Sequence, residues 1–165
     1  DDAAPLAARI RDTLVERPPL SFGEGETIAA GQDAELDDLR AVATGGKDAI
    51  AALQARGPRC VLLTSLEAGG APGEIGMMAA EGGRFHHLTT PMLPLSVNGA
   101  GDAIAALFLF HRLRSGDAAL ALEEAASAIF GLLRRTAEAG AREILTVAAQ
   151  EEFVAPSRRF RARQA

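Results

Sequence analysis

Apolar positions follow three patterns along the chain, and each predicts a different kind of element. Over 3–16, Leu6, Ile10 and Leu14 recur at helical spacing while Arg9, Arg11, Asp12 and Glu16 fall mostly elsewhere. That spacing predicts an amphipathic helix, which Pro18-Pro19 ends. Residues 18–33 are rich in Gly and Pro and predict a loop, with a short strand or a turn of helix as the alternative within it. Asp33 or Asp37 is placed to cap a helix over 36–56, weakened at Gly45-Gly46. Cys60-Val61-Leu62-Leu63 is unbroken and turns polar at Thr64-Ser65, which predicts a buried strand in a mostly parallel sheet. Residues 67–74 predict a flexible turn. Ile75–Ala80 and Phe85–Thr90, joined by Glu81-Gly82-Gly83, predict a β-hairpin.

A stretch broken by Pro91 and Pro94 leads to Asn98-Gly99-Ala100-Gly101-Asp102. Residues 103–113 are apolar nearly all round, the pattern of a central, buried helix. Gly116 suits the end of that helix, and Asp117 suits the start of the next. Over 118–139, Leu122, Ala126, Ile129 and Leu133 make one stripe, and Gly140 can end the helix. Ile144–Ala149 predicts a last strand, followed after Pro156 by a basic tail. Helices alternating with strands place the chain among α/β folds.

Composition narrows the partners. A formal net charge of −5 argues against a broad electrostatic grip on nucleic acid or an anionic membrane. No apolar run is long enough to span a bilayer. The single Cys60 has no partner for an internal disulfide, which fits a reducing compartment and a cytoplasmic location. It suits a small buried apolar residue opening its strand. His86 and His87 are adjacent on a strand and point to opposite faces, so the two are not expected to share a metal. Arg158, Arg159, Arg161 and Arg163 concentrate charge at the C-terminus. Without Tyr or Trp for base stacking, a solvated tail or edge strand is the favoured reading. Glu123-Glu124 reads as a hydrated helix face, and the Gly-rich turn 68–73 as either a flap or a plain connection.

The sharpest chemistry lies at 98–102. Glycines at 99 and 101 let the backbone turn tightly and approach a ligand. The helix that follows offers unpaired N–H donors and a partial positive charge. Asp102, at the same end, is placed to take a proton from a substrate hydroxyl. A plain turn with a capping aspartate is the structural alternative. A dinucleotide-binding fingerprint fails, because its third glycine position is Ile104 and no clean strand precedes Gly99. A P-loop fails for want of Gly-Lys-Ser/Thr.

Asn98-Gly99-Ala100-Gly101-Asp102, followed by AIAALFLF, resembles the signature of the ribokinase-like superfamily. The strand VLLTS at 61–65, Thr90-Pro91-Met92-Leu93, Val147-Ala148-Ala149-Gln150, Ala155-Pro156 and Arg159-Phe160 narrow the resemblance to the pyridoxal kinases, over about residues 47–165. The resemblance implies a ribokinase-like three-layer α/β/α fold that is incomplete, its N-terminal half being absent. Residues 1–165 would then be a single truncated kinase domain. It implies ATP and Mg²⁺ as cofactors, and phosphorylation of the hydroxymethyl group of pyridoxal, pyridoxine or pyridoxamine. Asp102 would be the general base, and the amides of Gly99, Ala100 and Gly101 the anion hole. Thr64 and Ser65 would meet ATP phosphates or ribose, with Thr90, Pro91, Met92 and Leu93 on the nucleotide's other side and Asn98 at the head of the motif. A homodimer is implied as well.

One departure concerns the metal. Family members carry an Asn and a Glu in a T-P-N-x-x-E segment after the equivalent of helix 3–16. Here that place reads Leu20-Ser21-Phe22-Gly23-Glu24-Gly25-Glu26, which leaves Glu24 or Glu26 as the substitute. The alternatives are a related hydroxymethylpyrimidine or sugar kinase, and a non-catalytic nucleotide-binding or structural remnant.

Overall fold

The unbroken apolar run at 60–63 is explained by what covers it. The computed structural model describes residues 28–29, 46–55, 57–66 and 71–165. In it Cys60–Leu66 is strand β2 of a five-stranded sheet whose strands lie in chain order. The others are β1 (Ile28–Ala29), β3 (Glu74–Glu81), β4 (Arg84–Pro91) and β5 (Arg163–Gln164). Cys60 and Leu62 pack with Met77, Ala79 and Leu88 beneath α2 (Ala100–Ser115) and α3 (Ala118–Glu138). Val61 and Leu63 belong to a second cluster with Ala80 and with Ile50 and Leu53 of α1 (Gly46–Gln54). Alternate side chains of β2 thus enter two cores, and the layers are α/β/α, as the family resemblance implies.

The expected mostly parallel sheet is corrected. Among the described residues only β1 runs parallel to its neighbour, β2, and every other neighbouring pair is antiparallel. A continuous apolar strand reports burial on both faces, and helices can cover both faces of a sheet built from hairpins as well. The hairpin itself is where the sequence places it. Glu81 pairs with Arg84, and Gly82 and Gly83 take φ of 57° and 76°, the left-handed pair that a two-residue hairpin turn requires.

Helix ends also follow the sequence. Gly116 closes α2 in a left-handed conformation, its N–H donating to the Arg112 carbonyl. Asp117 caps α3, accepting from the Leu120 N–H at 2.9 Å, and this bond holds its carboxyl below the usual carboxylate range. The burial is not where the sequence suggested. Only Ile104 and Phe108 of α2 are fully buried, whereas α3 is buried without a break from Ala125 to Leu132. Small residues at 118, 121, 125, 126, 128 and 131 let α3 sink between its neighbours, and composition counted around a helix does not register that. Arg112 of α2 also forms an ion pair with Glu81 of β3, tying helix to hairpin.

The strand expected at Ile144–Ala149 is absent. Its backbone bonds close locally, Thr146 N–H to Ile144 O at 3.0 Å and Ala149 N–H to Leu145 O at 2.9 Å. A short 3₁₀ turn, Gln150–Phe153, follows. Ile144 and Leu145 are apolar because they pack on the α2/α3 core, not because they lie in a sheet. The basic tail does end as an edge strand, with His87 opposite Arg163 and His86 opposite Gln164. Glu123 and Glu124 hold that tail and are not merely a hydrated face. Glu124 accepts from Arg159 at 2.7 Å, and Glu123 accepts from Arg161 at 2.6 Å and from the Ala162 N–H at 3.0 Å. Cys60 is buried at the start of its strand, as expected.

Candidate active site

The candidate residues gather at one end of the sheet and at the helix that follows it. Leu66 pairs with Gly76, Ile75 with Thr90 and Glu74 with Pro91. The end of β2, the start of β3 and the end of β4 therefore share an edge, which brings Thr64 and Ser65 to the same end as Thr90 and Pro91. The Met92 N–H continues the pairing to the Gly73 carbonyl at 2.7 Å. Thr90 is buried, Thr64, Pro91 and Leu93 are half-buried, and Ser65 and Met92 are exposed. Ser65 has φ of 59°, a left-handed conformation for a non-glycine residue, where the β2–β3 pairing slips between Leu63 and Leu66.

Residues 92–99 carry the chain from β4 to α2. Gly99 sits before the first helical residue with φ of 85°, a conformation open to glycine at little cost. The helical bonds begin with Ala103 N–H to Gly99 O at 2.9 Å, so the amides of Ala100, Gly101 and Asp102 precede the ladder. No side chain caps this end. Gly101 and Asp102 are exposed, and a Cβ built on Gly101 would meet nothing within 4 Å. The result is an open helix N-terminus carrying one carboxylate in its first turn, able to receive an anion and to accept a proton beside it. Among the described hydrogen bonds and ion pairs, none joins Asp102 to Thr64, Ser65 or Thr90.

One support was not legible in the sequence. Asn98 forms a parallel bridge with Glu143, and the Ile144 side chain lies against Gly99, 3.5 Å from where a Cβ would stand. The segment after α3 thus backs the turn. Its apolar residues read as a strand, and nothing in their spacing pointed to residue 99. Glu24 and Glu26 lie outside the described residues. Among the described residues no group of three or more His, Cys, Asp or Glu could hold a metal ion. A shallow cleft of about 370 Å³ lies elsewhere, lined by Arg135, Glu138, Ala139, Leu145, Ala148, Ala149 and Glu151, and includes none of the candidate residues. No described helix is long and apolar enough to cross a membrane.

The likeness to pyridoxal kinases is borne out by comparison with known proteins. A pyridoxal kinase of Granulibacter bethesdensis is 62% identical over 106 residues, 64% of this chain and 37% of that protein. The chain therefore spans well under half the length of the curated relatives it matches. Among solved structures, the pyridoxal kinase of Leishmania donovani in complex with ADP and pyridoxine superposes with a TM-score of 0.65 at 18% identity, covering 72% of this chain and 43% of that one. The pyridoxal kinase of Entamoeba histolytica gives 0.67 at 16% identity, covering 98% and 68%. The fold is that of these kinases. A shorter likeness falls on the DNA mismatch repair protein MutS of Solibacter usitatus, 43% identical over 56 residues, 34% of this chain and 6% of that protein. No family model matches the chain.

Proposed function

We propose that this chain carries the nucleotide-handling and acceptor-activating part of a kinase that phosphorylates the hydroxymethyl group of pyridoxal or a related B6 vitamer with ATP. The observation that carries the reading is the pairing of an exposed carboxylate, Asp102, with the unladdered amides of Ala100, Gly101 and Asp102 behind a left-handed Gly99. Asp102 takes the proton of the substrate hydroxyl as its oxygen attacks the terminal phosphorus. The amides, with those at Gly99, receive the charge developing on the transferred group, and the leaving oxygen stays with ADP. Thr64 and Ser65, with Thr90 to Leu93 across the sheet end and Asn98 at the turn, line the nucleotide. Mg²⁺ would accompany ATP, held mainly by phosphates and water, and would offset the charge of the phosphates.

The test is ATP-dependent phosphorylation of pyridoxal by the chain and by Asp102→Asn. The substitution keeps the shape and removes the base, so turnover falls by about 10²–10⁴ while ADP affinity is kept. Turnover that survives in Asp102→Asn refutes the assignment.

A further inference from the structure

The segment that backs the Gly99 turn is itself held by one residue. Thr136, fully buried in the last turns of α3, donates its hydroxyl to the Leu132 carbonyl at 2.8 Å. The same oxygen accepts the Leu145 N–H at 3.2 Å. Its backbone carbonyl accepts the Ala141 N–H at 3.2 Å, while the Gly140 N–H reaches the Ala137 carbonyl at 3.0 Å. That pair of crossed bonds is a Schellman ending, with Gly140 at φ of 61°. Thr136 therefore fixes both ends of the stretch 141–145: the backbone carbonyl sets where it leaves the helix, and the hydroxyl sets where it returns. Between those anchors lie Glu143, bridged to Asn98, and Ile144, packed on Gly99.

A threonine hydroxyl in a helix commonly bonds back to the carbonyl four residues earlier, and this bond alone would be unremarkable. What distinguishes Thr136 is the second bond. With its proton committed to Leu132, the oxygen is left as an acceptor, and the Leu145 amide donates to one of its two lone pairs. Valine has the same shape and no acceptor, so it would leave that amide without its partner.

Resting on the reading of 99–102 as the phosphate site, we propose that Thr136 is a positioning residue for that turn, acting through the stretch 141–145 and the Ile144 contact. It touches neither substrate nor nucleotide. Its hydroxyl holds Ile144 under Gly99, and Gly99 aims the amides that follow.

The test compares Thr136→Val, Thr136→Ser and Ile144→Ala in the full chain, by amide chemical shifts, amide exchange, ADP affinity and turnover. In Thr136→Val the Leu145 amide exchanges about tenfold faster, and the resonances of Ala100, Gly101 and Asp102 move; Thr136→Ser restores both. ADP affinity drops severalfold, and so does kcat, while the KM for pyridoxal stays near that of the parent. Should Thr136→Val fail to fold, Ile144→Ala leaves the hydroxyl in place and still shifts Ala100 to Asp102, with the Leu145 amide protected. If Leu145 loses protection and Ala100 to Asp102 keep their resonances, Thr136 is structural only and the proposal falls. The proposal equally falls if Ile144→Ala leaves those resonances unmoved. Should the resonances move with no change in ADP affinity or turnover, Thr136 positions the turn as proposed, and the assignment of the turn to phosphate is what fails.

Discussion

Gly131→Ala is a substitution whose expected sign reverses once the structure is considered. Gly131 lies in the interior of α3, where replacing glycine by alanine normally stabilises by about 1 kcal/mol. Here the added Cβ would stand 1.9 Å from Oε2 and 2.4 Å from Cδ of Glu152. That carboxylate is 2% exposed and accepts the Ser157 N–H at 2.8 Å, which secures the turn into the C-terminal tail. To admit the methyl group Glu152 swings away and gives up this charge-assisted bond, at a cost of about 1.5–3 kcal/mol. Arg134 and Arg135, at 4.0 and 3.9 Å and substantially exposed, return little of it. The net expectation is a loss of about 0.5–2 kcal/mol. Urea unfolding of the parent, Gly131→Ala, Glu152→Ala and the double variant checks it. With Glu152 shortened the obstacle is gone, so Gly131→Ala then stabilises by up to about 1 kcal/mol. If Gly131→Ala stabilises the parent chain by that same amount, Glu152 is not wedged against α3 and the reasoning is wrong.

Two further outcomes are expected. Burial lowers the pKa of His111 below 6.5, against the opposing pull of Glu124, so the unfolded chain takes up the proton more readily than the folded one. The resulting stability is complete above about pH 6.5 and is lost as pH falls through the folded value; His111→Asn flattens the slope of Tm between pH 6.5 and 5, and an unchanged slope argues against it. Replacing Glu24 and Glu26 together by Gln weakens the Mg²⁺ dependence of ADP affinity if either carboxylate stands in for the Asn and Glu of the family segment, and an unchanged dependence argues against that substitution.

Local chemistry was legible wherever a residue type has few places to go. Asp117 and Gly116 announce helix ends through capping bonds made within a few residues, and Gly82-Gly83 announces a turn that needs two left-handed positions. The Gly99–Asp102 turn was legible for the same reason. What escaped were contacts set by distant parts of the chain. Ile144 and Leu145 are as apolar as a strand, and only the bond from the Leu145 N–H to Thr136, in the last turn of α3, decides that they pack without pairing. Glu123 and Glu124 look like any charged helix face until the tail returns to meet them. The direction of the sheet was hidden because two-sided burial leaves the same mark on β2 whichever way its neighbours run.

The measurement that bears most directly on the kinase reading is an ADP titration of the isotope-labelled chain, followed amide by amide. A phosphate site at the start of α2 predicts saturable shifts at Gly99, Ala100, Gly101 and Asp102, accompanied by Thr64, Ser65 and the Thr90–Leu93 stretch. Shifts confined to the cleft of Arg135, Glu138 and Glu151, or no saturable shift in a folded sample, would contradict it.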